Sequence, residues 1–183
     1  DLGALDAGTY EIYATVVNDA DPVGTATSAT RTFTVAAAIP TTTVLAAAGP
    51  PTTYGQNVTF TATVAPLPTG GTVQFYDGGN PMGSPATVNT GTGVASYTTT
   101  TLGAGTRVIT AAYNGYQIYE ASTTASSISQ VVNQAPLTVT ALNMIRTVNT
   151  ANPDPFPYEI TGYQNGQNLA TSGVTGTPVL TTL

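Results

Sequence analysis

The groups able to do chemistry are few and poorly matched to one another. Nine carboxylates stand against three cationic side chains, Arg31, Arg107 and Arg146, and the chain holds no His, no Cys and no Lys. A serine nucleophile needs an imidazole or an amine at its side, and neither exists in this sequence. Glycoside cleavage needs two facing carboxylates. The three glutamates, Glu11, Glu120 and Glu159, fall in widely separated stretches, and no aspartate sits in an Asp-Thr-Gly setting. There is no phosphate-cradling loop and no dinucleotide fingerprint; Gly78-Gly79 suits a hairpin turn. Without Cys there is no disulfide and no thiolate metal site, and without Lys no Lys–Asn isopeptide cross-link. The expectation is a protein with no catalytic residues and no cofactor, not an enzyme.

Four features could still bind or carry something. Asn18-Asp19-Ala20-Asp21 offers oxygen ligands of the kind Ca²⁺ takes. Two carboxylates and an amide are a thin set, so Asp19 and Asp21 fit a solvated turn better than a metal site. Tyr113, Tyr116 and Tyr119 flank one loop, where aromatic rings can stack on sugars or anchor a partner. Tyr113 and Tyr119 are expected in the core and at the loop base, which leaves Tyr116 half-exposed. Asn57-Val58-Thr59 is the one N-glycosylation triplet, and Thr59 also fits a strand pattern. The threonine runs at 41–43 and 98–101 could carry O-linked sugar, or could simply form an exposed strand face.

The net charge of −6 argues against nucleic acid, which is bound by neutralising phosphates, and against anionic membrane surfaces. No apolar run approaches the roughly 18 residues of a membrane helix. The chain opens in mid-pattern at Asp1, as a mature or internal segment would. Only 7 % of residues are charged, whereas an ordinary soluble domain has roughly 25 %. Threonine, about a fifth of all positions, takes the place of charge. Its branched Cβ favours extended backbone while its hydroxyl faces water, which fits an extracellular β-protein.

The elements that must position these residues are strands. Residues 58–64 read Val-Thr-Phe-Thr-Ala-Thr-Val, apolar on one face and hydroxyl-bearing on the other. Similar alternation predicts strands over Tyr10–Val17, Thr30–Val35, Thr72–Tyr76, Val94–Thr99, Thr106–Tyr113, Ser127–Val132 and Leu137–Ala141. Thr69-Gly70-Gly71, Asp77-Gly78-Gly79, Asn114-Gly115 and Asn165-Gly166 supply turns between them. Val58, Phe60, Ala62, Val64, Phe75, Ile109 and Ala111 are the expected core. Short strands at this spacing predict a sandwich or barrel.

A repeat organises the chain. A shift of 97 residues places Leu5, Ala7, Gly8, Thr9, Ile12, Ala14, Thr27 and Val35 on Leu102, Ala104, Gly105, Thr106, Ile109, Ala111, Thr124 and Val132. Thr43-Val44 recurs more weakly as Thr138-Val139. Modules of this length are typical of immunoglobulin-like sandwiches. The expected layout is the C-terminal half of one module (1–38), a complete module (39–134) and the N-terminal half of a third (135–183). The fold class is thus all-β, with tandem immunoglobulin-like β-sandwich modules of antiparallel strands.

The central module carries Tyr54-Gly55-Gln56-Asn57-Val58-Thr59-Phe60, Gly71-Thr72-Val73-Gln74-Phe75-Tyr76-Asp77-Gly78, Leu102-Gly103-Ala104-Gly105-Thr106 and Ile109-Thr110-Ala111-Ala112-Tyr113-Asn114-Gly115, with Tyr119 and Ser122 beyond. In this combination it resembles the bacterial Ig-like repeat domains of surface proteins and adhesins. The last segment resembles the first half of an MBG-family extracellular repeat through Asn152-Pro153-Asp154-Pro155-Phe156, Ile160-Thr161-Gly162-Tyr163, Asn165-Gly166 and Gly176-Thr177-Pro178. Where that family has Tyr-Gly ahead of Asn-Pro, this chain has Thr147-Val148-Asn149. These resemblances imply a secreted or surface-displayed spacer, stalk or adhesin, and no catalytic residues to carry over.

Neither flanking half can bury its own apolar face, and an open strand edge invites pairing with another chain. The expected partner is therefore another copy of the same chain, head-to-tail, with Thr177–Leu183 running into Asp1–Thr9 as strand, turn and strand. The function expected is a structural unit of an extracellular fibre, stalk or surface layer. The alternative is an adhesin whose loop, at Tyr116 and Tyr119, grips glycan or host protein.

Overall fold

A computed structural model of the chain describes residues 4–17, 25–153 and 155–180. Every regular element among them is a strand, as the all-β reading requires. The first is β1 (Gly8–Ile12), followed by β2 (Thr15–Val17), β3 (Thr25–Thr27) and β4 (Arg31–Val35). β1 pairs with β4, and β2 with β3, both antiparallel. The single strand expected over Tyr10–Val17 is broken at Tyr13-Ala14. There the Ser28 hydroxyl accepts the Ala14 N–H at 2.9 Å, in place of a ladder carbonyl, while the Ser28 N–H donates to Ala14 O at 2.8 Å. A side-chain oxygen that competes with the backbone ladder bends the strand at that point.

The central segment contributes β5 (Thr42–Leu45), β6 (Thr52–Thr53), β7 (Val58–Ala65), β8 (Thr72–Asp77), β9 (Asn80–Pro81), β10 (Ala86–Thr87), β11 (Val94–Thr99), β12 (Gly105–Tyr113), β13 (Ser122–Thr123) and β14 (Ile128–Asn133). One sheet has the order β11-β7-β5. The other runs β10-β8-β12-β14-β6, with β9 added to β8 and β13 to β12. The two sheets face each other as a sandwich. Its ladders are antiparallel except that β6 runs parallel to β14, with Val132 opposite Thr52. The parallel pair arises because the opening stretch changes sheets: β5 pairs with β7 on one side, and β6 then joins the edge of the other.

β7 alternates buried and outward residues along its whole length. Val58, Phe60, Ala62 and Val64 point inward, and Phe75, Ile109 and Ala111 meet them from the second sheet. All seven positions expected in the core are at most 5 % exposed. Val73, Val88, Ala95, Leu102, Tyr113 and Val132 complete the cluster, and Tyr97 stacks on Phe75 at 6.1 Å. Burying side chains of this size contributes about 1.5–3 kcal/mol each, enough to make this cluster the main support of the module. The β8–β9 hairpin closes through Gly78 and Gly79, both at positive φ (55° and 85°), as a two-residue type I′ turn demands.

The C-terminal part has one hairpin, β15 (Thr138–Ala141) with β16 (Tyr158–Thr161), Thr138 opposite Thr161. All four residues of β15 are exposed. Asp154, in the middle of the Asn-Pro-Asp-Pro motif, lies outside the described residues.

Candidate functional site

The loop that carries the three tyrosines begins where β12 ends. Tyr113 is the last inward residue of that strand and is 1 % exposed. Its hydroxyl donates to Gly70 O at 2.8 Å. Burial, followed by the neighbouring Tyr119 and Tyr116, raises the pKa of its phenol above 10.0. Further along, Tyr116 and Tyr119 exchange both backbone hydrogen bonds, at 3.0 and 2.8 Å, around a turn with Gln117 at φ 51°. Tyr119 packs against the core, whereas Tyr116 is 43 % exposed.

Two adjacent glycines form the floor beneath this loop. A Cβ on Gly71 would lie 2.5 Å from the Tyr113 ring, and one on Gly70 would lie 2.8 Å from the Tyr116 ring. The sequence marks Thr69-Gly70-Gly71 as a turn, but the glycines also let two aromatic rings approach the backbone. Tyr116 is therefore an exposed ring held in place. The incoming chain fastens the loop from the other side. Ile39 donates its N–H to Ile118 O at 2.7 Å and accepts from the Glu120 N–H at 2.9 Å. The Ser122 hydroxyl shares hydrogen bonds with both Thr41 and Thr43 hydroxyls, each at 2.7 Å.

The other candidates fall in separate places. Asp19 and Asp21, with the whole Asn18–Asp21 turn, lie outside the described residues. Among the described residues no three acidic side chains gather as a metal site would need. Glu11, Glu120 and Glu159 are exposed on different strands and loops. Asn57 is exposed just before β7, and the Thr59 hydroxyl of its triplet bonds the Thr98 hydroxyl across the strands at 2.8 Å. Of the threonine run 41–43, Thr43 is buried and tied to Ser122, so it presents no surface for a sugar.

One charged contact escaped the sequence reading. Arg107 lies on the inward-facing set of β12, and its Nε donates to both Asp77 oxygens, at 3.1 and 2.9 Å. This is the one ion pair among the described residues. The available signal was a cation on the core side of an alternating strand, which must find a countercharge.

The flanking hairpin β1–β4 repeats the register of the central sandwich. Gly8 faces Val35 and Ile12 faces Arg31; 97 residues on, Gly105 faces Val132 and Ile109 faces Ile128. On the face of β1–β4 that corresponds to the core face of β12–β14, Tyr10 and Phe33 stack at 5.4 Å. Ile12 lies 44 % exposed there, while its counterpart Ile109 is fully buried. At the other end Val139, Leu142, Ile145 and Val148 are exposed.

No curated protein matches the chain. No helix among the described residues is long and apolar enough to cross a membrane. Residues 45–133, the sandwich from late β5 to the end of β14, match the family model of the bacterial Ig-like domain, group 3. Domains of that family are common in surface proteins and are typically non-enzymatic, so the central sandwich is similar to a bacterial surface or extracellular module.

Proposed function

We propose that the chain is a non-catalytic structural segment of an extracellular fibre, stalk or surface layer, built from Ig-like sandwiches joined head-to-tail. The observation that carries this reading is the repeated register of β1–β4 with its inner face uncovered. In the central sandwich the hairpin β12–β14 is covered by β5 and β7. β1–β4 corresponds to β12–β14. We read β15–β16 as the counterpart of β5–β7, since each opens its segment with a threonine-rich strand in an antiparallel pair. On this reading the β15–β16 segment of one repeat covers the inner face of the β1–β4 hairpin of the next. This holds whether the repeats are separate subunits or successive stretches of one chain. A contact between unlike surfaces that does not close on itself propagates as a filament.

The test is assembly of the 183-residue chain, followed by sedimentation and electron microscopy. Head-to-tail oligomers are expected, with Ile12→Asp or Val139→Asp dispersing them and leaving the melting of the central sandwich unchanged. A monomer at all concentrations, with its flanking hairpins protected from hydrogen exchange, would overturn the proposal.

A second reading, a ligand-gripping adhesin, has in its favour the exposed Tyr116 ring held over Gly70. Saturable binding to a glycan array lost on Tyr116→Ala would support it.

A further inference from the structure

At the end of the sandwich opposite the tyrosine loop, the exit of β14 and the loops after β16 enclose a cleft of about 620 Å³. It is lined by Tyr54 and Tyr163, by the amides of Gln134, Gln164 and Gln167, and by small residues that include Ser172; no lining residue is ionisable apart from the two phenols. The two sides are in contact. The Gln164 side chain lies against Gly55, where a Cβ would come within 2.7 Å of it, and Asn165 Nδ2 donates to Thr100 O at 2.9 Å.

We infer that this cleft is a binding site for a neutral oligosaccharide. Its volume lies within the range of roughly 300–1,000 Å³ that small-molecule sites occupy. Charge chemistry is excluded by its walls: an ion entering it would leave its water and meet no countercharge. What the walls offer is a combination of aromatic side chains and amides. Aromatic rings cover the C–H face of a pyranose, and a carboxamide donates and accepts at once, which matches the vicinal hydroxyls of a sugar. Hydrogen-bonding capacity is left over. Gln164 donates to Gly162 O at 3.1 Å and keeps its carbonyl oxygen as an acceptor. The Tyr163 hydroxyl is buried and has no hydrogen-bond partner among the described residues. A buried polar atom without a partner costs free energy, and a rotation of the Tyr163 side chain that brought its phenol to the cleft would let a ligand hydroxyl recover it.

The experiment uses the full chain and a panel of neutral trisaccharides (maltotriose, cellotriose and tri-N-acetylchitotriose), with trigalacturonic acid as the charged comparator, read by calorimetric titration. At least one neutral sugar is expected to bind saturably with Kd between about 10 µM and 1 mM, and the acid to bind at least roughly tenfold more weakly. Gln134→Ala and Tyr163→Phe should each weaken binding about five- to tenfold while leaving the melting temperature of the sandwich unchanged. Tyr54→Ala should abolish binding; because Tyr54 also packs against the core, the two milder variants decide the matter. Absence of binding by every neutral sugar at 10 mM, equal binding of the acid, or unchanged affinity in Gln134→Ala and Tyr163→Phe would each overturn the inference. These outcomes are separable from head-to-tail assembly, which is read by sedimentation and by Ile12→Asp and Val139→Asp, residues outside the lining of the cleft.

Discussion

The Tyr113 hydroxyl reaches across the end of the sandwich and donates its proton to the carbonyl of Gly70, 2.8 Å away. This bond joins the end of β12 to the loop that leads into β8, and its ring rests on the neighbouring Gly71. Gly71→Ala would introduce a side chain at φ 101° and force it into that ring. The expected loss, strain and overpacking together, is about 2–5 kcal/mol by urea denaturation. Tyr113→Phe keeps the ring but strands the Gly70 carbonyl, at a cost of about 1–3 kcal/mol. A loss below 0.5 kcal/mol in both variants would show that the contact does not support the fold.

The same tyrosine gives the sandwich an alkaline limit. Its phenol titrates above 10.0 when folded because burial opposes the phenolate. The folded state therefore holds this proton more tightly than the unfolded chain does. The stability it contributes is complete below the unfolded pKa and is lost as the pH rises from 10 through the folded value. Thermal melts in that range should show a steeper decline for the native chain than for Tyr113→Phe. Parallel declines would assign the alkaline effect to other tyrosines.

Arg107 and Asp77 are joined by three hydrogen bonds at the margin of the core. The arginine side chain is about one-third exposed, so solvent screens part of the attraction. A double-mutant cycle with Arg107→Met and Asp77→Asn is expected to give a coupling of about 0.5–1.5 kcal/mol, smaller in 1 M salt. Zero coupling would reduce the pair to a surface contact.

Ser122 serves two threonines at once. Ser122→Ala removes the hydroxyl that Thr41 and Thr43 share, although Thr43 retains a bond to the Ser122 carbonyl at 3.3 Å. The expected cost is about 1–2 kcal/mol, with hydrogen exchange accelerating first at Ile39 and Thr43. Unchanged protection at those amides would mean that the backbone bonds alone hold the incoming chain.

The central sandwich was legible because its strands alternate without interruption. Val58 to Val64 announces both its conformation and its buried face, and Asp77-Gly78-Gly79 announces the turn that follows. The order among the loop tyrosines was legible too: Tyr113 closes an alternating strand, while Tyr116 stands outside any apolar pattern. Other features were hidden for physical reasons. β6 is two residues long and exists only because β14 offers it an edge. The break at Tyr13-Ala14 depends on the hydroxyl of Ser28, which is distant in sequence. The cleft beside Tyr163 depends on how loops from two segments meet, and no local pattern encodes that meeting.

The parallel course of β6 and β14 determines how the module responds to tension. Chain enters the sandwich near Ile39, which is held to the loop after β12, and leaves beyond Asn133. A pull on these two points slides parallel neighbours past each other, so their hydrogen bonds bear the load together and do not open one after another as in a zipper. Thr43 and Thr124, bridged in the same parallel sense, add to this sheared set. A string of such modules would lengthen in abrupt steps, each module holding until its terminal contacts fail at once.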